Sequence, residues 1–211
     1  MNIKEIDIDL DKLMKNLNDN VVDDIKTFED VVNLEAGLNR EIYIGEITAG
    51  LGQTVEGYIR FWNKYDNIHS IPLEERQPIK IYIDSIGGSL TDTLTIIDAI
   101  ALSKTKVETI CTGAAYSGGF FIFIAGHERI AYPHSSYLYH EGSTSTGADA
   151  GKFRNYAEFY QKEMKQLENI TLKYTKITPE EYKEHIKDDW WLMADEAVKY
   201  GVADKIAEGL I

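Results

Sequence analysis

A near-continuous apolar run, Ile79-Lys80-Ile81-Tyr82-Ile83-Asp84-Ser85, leads into Gly87-Gly88, and a helical pattern follows at once. A strand apolar on both faces belongs in a sheet covered on both sides, the usual setting of parallel strands. The arrangement then repeats. Val107–Cys111 reads as a second such strand, and it turns through Gly113-Ala114-Ala115-Tyr116-Ser117-Gly118-Gly119 into the apolar stretch Phe120–Ala125. Strand–helix units of this kind require right-handed crossovers and predict an α/β fold with a mostly parallel sheet.

The flanking segments fit the same alternation. Arg40–Ile47 reads as a strand, and Val55, Tyr58, Ile59 and Trp62 share one face of the next helix. Leu90, Leu94, Ile97 and Ala101 are expected to face inward on a helix that Ser89 and Asp92 start as a capping box. Tyr137–His140 is a further strand. Gly151–Thr175 is a long amphipathic helix carrying Phe153, Tyr156, Tyr160, Met164, Leu167 and Tyr174, more aromatic surface than one domain readily covers, which points to an interface. Thr178-Pro179-Glu180-Glu181 restarts a helix with a cap, proline at N1 and glutamate at N3.

The first forty or so residues differ. Up to Asn33 they hold neither Gly nor Pro; Ile6, Ile8 and Leu10 alternate, while Leu13, Leu17, Val21 and Ile25 recur at helical spacing. Two readings fit: an arm docked on a neighbouring subunit, or a solvated tail.

Composition excludes more than it identifies. With 211 residues, one domain with a full core is expected. A net charge of −13 argues against nucleic acid and anionic membranes as partners. Cys111 is the single cysteine, so no internal disulfide forms, which suits a reducing compartment. No basic start leads into an apolar run, and Gly118–Ala125 is too short to span a bilayer. A cytoplasmic protein is the expectation.

The two glycine-flanked loops carry the chemistry. Ser117 stands where a strand turns into an apolar helix, among residues small enough for a substrate to approach. The N–H groups of Gly87 and Gly118 are placed to meet a developing oxyanion. His140 ends a later strand, and an acidic pair, Asp188-Asp189, follows. Nucleophile, base, carboxylate and two donors make up the parts for acyl transfer by an activated serine, chemistry that needs neither metal nor cofactor. Each residue also has a plainer role open to it. Ser117 suits a helix N-cap, His140 a structural position, and Cys111 a small core residue.

Four segments in order, IYIDSIGGSLTDTLTIIDAI, ICTGAAYSGGFFIFIAG, RIAYPHSSYLYHEG and WWLMADEAVKYGVADKI, make the chain from about Ile42 to Ile206 similar to the ClpP family, the proteolytic subunits of ATP-dependent Clp proteases. The resemblance implies a ClpP/crotonase-like fold of repeated β-β-α units with a mostly parallel sheet. It divides the chain into a divergent arm at 1–40 and a serine protease domain at 41–211, whose protruding handle helix lies near 151–175. It further implies a serine endopeptidase with the triad Ser117-His140-Asp189 and an oxyanion hole at Gly87 and Gly118. Asp189 is chosen over Asp188 because it stands two positions before Trp191. His69, His127, His134 and His185 match no catalytic position. Glu141 is a poor candidate because strand neighbours face opposite ways. The segment after Gly88 is expected to lie extended and take substrate as an added strand.

The implied assembly is a heptameric ring, or a tetradecamer of two rings, that encloses the sites, admits unfolded polypeptide and docks an AAA+ Clp ATPase. Several positions depart from the family. Ile86 replaces a loop proline, Glu141-Gly142 follows the histidine, the stretch 143–151 is polar, and Lys80 stands where the ATPase dock has an aromatic, although Tyr82 remains. A specialised or phage-encoded member acting in capsid maturation fits those departures. A crotonase-type acyl-CoA hydratase or isomerase and an inactive structural ring subunit are the other readings.

Overall fold

The computed structural model describes residues 36–140, 142 and 149–210. Nearly all of the 1–40 arm, Glu141 and most of the polar stretch after His140 lie outside the described residues. The chain runs β1 (Glu41–Ile44), α1 (Leu51–Ile68), a 3₁₀ turn (Leu73–Glu75), β2 (Ile79–Ser85), α2 (Leu90–Leu102), β3 (Val107–Tyr116), α3 (Gly118–Ile124), β4 (Glu128–Ala131) and β5 (Ser136–Tyr139). It continues with α4 (Ala150–Tyr174), α5 (Pro179–His185), β6 (Trp190–Met193), α6 (Ala194–Lys199) and β7 (Lys205–Ile206).

The sheet is ordered β1-β2-β3-β4-β7, with β5 joined to β3 and β6 to β5. Every pairing is parallel except β5–β6. β3 is the hub. Its first half pairs with β4 through Glu108–Cys111, and its second half pairs with β5 through Ala114–Tyr116. The expected α/β class and parallel sheet are present, with β3 longer than its apolar run because Thr112–Tyr116 extends it.

The core follows from the double-sided strands. Ile79, Ile81, Ile83, Val107, Ile110 and Cys111 are fully buried, and α3 buries every residue it has. Two expected faces rotate. Val55, Ile59 and Trp62 of α1 are buried, but Tyr58 is 51 % exposed and only stacks on Trp62. On α2 the inward positions are Thr93, Ile96, Ile97 and Ile100, Leu90 and Leu94 are half-buried, and Ala101 faces out.

Asp92 helps fix that phase. Its Oδ1 accepts the N–H groups of Gly50 and Gly52, while Ser89 Oγ donates to Oδ2 at 2.6 Å. Only half of the expected capping box forms, because the Ser89 N–H is donated to the Ile47 carbonyl. The capping box at Thr178 and Glu181 is complete.

β4 and β6 are not evident in the sequence. β6 alternates buried Trp190 and Leu192 with exposed Trp191 and Met193. All four are apolar, so the period of two is invisible without the burial. On α4 only Leu167 and Thr171 are buried, while Phe153 and Phe159 are more than half exposed. Among the described residues no helix is long and apolar enough to cross a membrane.

Candidate active site

Ser117 sits at the junction of β3 and α3 with φ 53° and ψ −120°. Left-handed φ is costly for a residue with a Cβ and persists only where the surroundings enforce it. Here its N–H donates to the Leu138 carbonyl of β5 at 2.9 Å, and its carbonyl accepts from Phe121. Ser117 stands at the N-cap position of α3, but its hydroxyl makes no capping hydrogen bond.

Parallel pairing of β3 with β5 carries His140 to the same edge, since Tyr116 pairs with Leu138. Ser117, His140, Gly88 and Gly118 line one cleft of about 200 Å³, whose apolar wall is Leu90, Phe121, Met164 and Leu167. Met164 and Leu167 come from α4, so that helix forms part of the cleft wall.

Asp189 is exposed and lies immediately before β6. Antiparallel β5–β6 pairs Leu138 with Trp191 and Tyr139 with Trp190. That register, carried one residue further, would bring Asp189 opposite His140 on one face. Asp188 falls one residue out of phase, and its N–H closes a turn onto the His185 carbonyl. Among the described residues no hydrogen bond joins Ser117, His140 and Asp189.

The glycine loop differs from the sequence expectation in two ways. The Gly87 N–H is engaged by Ser85 Oγ at 3.1 Å, and Gly87 is buried. The neighbour that lines the cleft is Gly88. Nor does the chain stay extended after Gly88: Ser89 caps α2 and Leu90 begins it, because Asp92 holds the Ser89 hydroxyl there. What remains of the strand is one parallel bridge between Gly88 and Ile47.

The other histidines are elsewhere. His69 bonds the Tyr65 carbonyl, His127 accepts the Val107 N–H, and His185 stacks on Trp190. Burial holds His127 below the usual imidazole range. Cys111 is fully buried in β3, and burial pushes its thiol up to about 12, which fits the small core residue and not a thiolate nucleophile. Among the described residues no group of three His, Cys, Asp or Glu side chains is arranged to hold a metal.

A serine held at a strand–helix turn and sharing a cleft with a histidine that follows the neighbouring parallel strand is an arrangement met in serine hydrolases. The model of the Clp protease family matches residues 70–209. ATP-dependent Clp protease proteolytic subunit 2 of Prochlorococcus marinus is 30 % identical, covering 81 % of this chain and 82 % of that protein. Subunit 1 of Shouchella clausii is 30 % identical, over 80 % of this chain and 84 % of its own. Subunit 3 of Synechococcus sp. (strain CC9605) is 31 % identical, over 81 % and 83 %. The chain belongs to the Clp protease family, and it is a serine-type peptidase.

Proposed function

We propose that the protein hydrolyses peptide bonds of unfolded polypeptides through Ser117, His140 and Asp189, within a ring of its own subunits in the cytoplasm. His140 takes the Ser117 proton as Oγ adds to the scissile carbonyl and returns it to the leaving amine. Asp189 holds the imidazole in the required tautomer. Water then releases the acyl-enzyme. The observation that carries this reading is Ser117 itself: a non-glycine residue with φ 53° and no capping bond, facing a cleft shared with His140.

The oxyanion donors we assign are the N–H groups of Gly88 and Gly118. Gly118 follows the nucleophile at the start of α3. Gly88 replaces Gly87 because the Gly87 N–H already has Ser85 Oγ as partner. Such donors contribute about 3–4 kcal/mol of transition-state stabilisation each.

Ring formation draws on α4. Phe153 and Phe159 are 54 % and 55 % exposed on a helix that buries two residues. Leaving such rings in water forgoes roughly 2 kcal/mol apiece, which favours a second copy of the chain as their cover. In this reading 41–211 is the protease domain, α4 its handle, and 1–40 a separate arm. Docking of an AAA+ Clp ATPase is weakened by Lys80. The test is Ser117→Ala, which removes an oxygen without opening a core cavity. Loss of peptide-ester hydrolysis with assembly retained is expected; activity near wild type overturns the assignment.

A further inference from the structure

Ser85 ends β2 with only 1 % exposure, and its Oγ accepts the Gly87 N–H at 3.1 Å. A serine hydroxyl that bonds the backbone two residues on fixes a turn. Ser85 also touches the other side of the cleft. A Cβ added to Gly119 would fall 3.0 Å from Ser85 Cβ, so the serine packs against the first turn of α3. One small side chain thus contacts both the loop that carries Gly88 and the helix start that carries Gly118.

The rest of the loop is clasped by Ile47. Its N–H donates to the Gly87 carbonyl at 2.9 Å, and its carbonyl accepts from Ser89 at 2.8 Å. Gly88 lies between with φ 147°, where a Cβ would meet the Ile47 oxygen at 2.2 Å. Ile86, 72 % exposed, contributes no ring that would fix the backbone at the turn. Among the described residues, the hydrogen bond from Gly87 to Ser85 is the side-chain bond that restrains the turn on that side.

We infer that Ser85 is a positioning residue for the oxyanion hole: by holding the Gly87 N–H it aims the Gly88 N–H into the cleft. This rests on Ser117 as nucleophile and on Gly88 and Gly118 as donors. Ser85 touches no reacting atom; it sets the angle at which one donor meets the oxyanion. A proline at position 86 would restrain the same turn from the neighbouring residue, and Ser85, as a strand residue, has the extended conformation that precedes proline.

The experiment compares the intact assembly with Ser85→Ala, Ser85→Cys and the double variant Ser85→Ala/Ile86→Pro. Peptide-ester kinetics are measured beside inhibition by a peptide aldehyde, which captures Ser117 as a tetrahedral adduct. Ser85→Ala is expected to lower kcat roughly ten- to a hundredfold with KM within about twofold, and to weaken the aldehyde by the same factor. Adding Ile86→Pro restores most of both. Ser85→Cys, nearly isosteric with a weaker acceptor, falls between, and it carries the same readings should Ser85→Ala not fold. A kcat within about twofold of wild type overturns the inference. So does a kcat loss without matching loss of aldehyde affinity, or one that Ile86→Pro leaves unchanged. If Ser117→Ala keeps its activity, the reading beneath has failed instead.

Discussion

Tyr139 and Trp190 form the last pair of the antiparallel β5–β6 ladder, and His140 and Asp189 are the next residues along the two strands, opposed when that register is continued by one residue. Directly opposed residues hold their Cβ atoms about 5 Å apart, within reach of an imidazole–carboxylate hydrogen bond. Asp189→Asn is therefore expected to lower kcat about 10⁴-fold by presenting the wrong tautomer. Asp188→Asn, out of phase with His140, stays within a few-fold. Steady-state hydrolysis of a fluorogenic peptide by the two variants decides between them, and the reverse ranking moves the carboxylate by one residue.

Assembly is tested on α4. Phe153→Glu with Phe159→Glu places two charges where the ring–ring contact is proposed, and desolvating an unpaired charge costs several kcal/mol. Sedimentation velocity is expected to show a smaller particle with reduced peptidase activity. An unchanged particle would show that this face is not the contact.

Lys80 and Tyr82 point to the same side of β2, since they are two residues apart on one strand. Burial pushes the Tyr82 phenol up to about 12, and its ring stacks on Tyr43 at 5.1 Å. An apolar loop docking there must cover the Lys80 ammonium, which resists leaving water. Lys80→Tyr is expected to strengthen binding to a Clp ATPase, read as ATPase-stimulated casein degradation. No gain over wild type would remove Lys80 as the obstacle.

Acid stability has a local source. Asp66, with no exposed side-chain surface, accepts from both Arg40 amines at 2.6 and 2.8 Å and from Thr105 at 2.7 Å. Burial alone would raise its pKa, but the Arg40 and Thr105 hydrogen bonds bring it below the ordinary carboxylate value. A lowered folded pKa means the stabilisation is complete above the unfolded value of about 3.9 and fades as pH falls through the folded one. Asp66→Asn should cost roughly 3–5 kcal/mol at neutral pH by stranding Arg40, with much less difference from wild type near pH 2. Urea unfolding at both values checks the sign.

The sheet class was legible because β2 and β3 are apolar on both faces, a pattern few other settings permit. The places of Ser117 at a strand–helix turn and of His140 at a strand end were legible, and the structure brings both to one cleft; their catalytic roles are what we propose. The oxyanion donor was not. Gly87 and Gly88 are indistinguishable as letters, and it is the Ser85 hydroxyl, two residues away, that occupies the Gly87 N–H and makes Gly88 the donor we propose. The extended segment that the family resemblance implied after Gly88 gave way to the helix start that Ser89 and Asp92 already signalled in the sequence. Asp92 engages the Ser89 hydroxyl three residues away, and the N–H groups of Gly50 and Gly52 some forty residues away brace it there. Tyr58 and Ala101 were misjudged by about one helical position, since periodicity gives a face but not its rotation against a neighbour.

The central claim is that Ser117 is the activated nucleophile. Its most direct measurement is labelling of the native protein with a fluorophosphonate probe, followed by mass spectrometry of the modified peptide. One adduct per chain at Ser117 is expected, lost in Ser117→Ala and strongly slowed in His140→Ala, because the base no longer takes the hydroxyl proton. Labelling at another serine, or an equal rate without His140, would contradict the account.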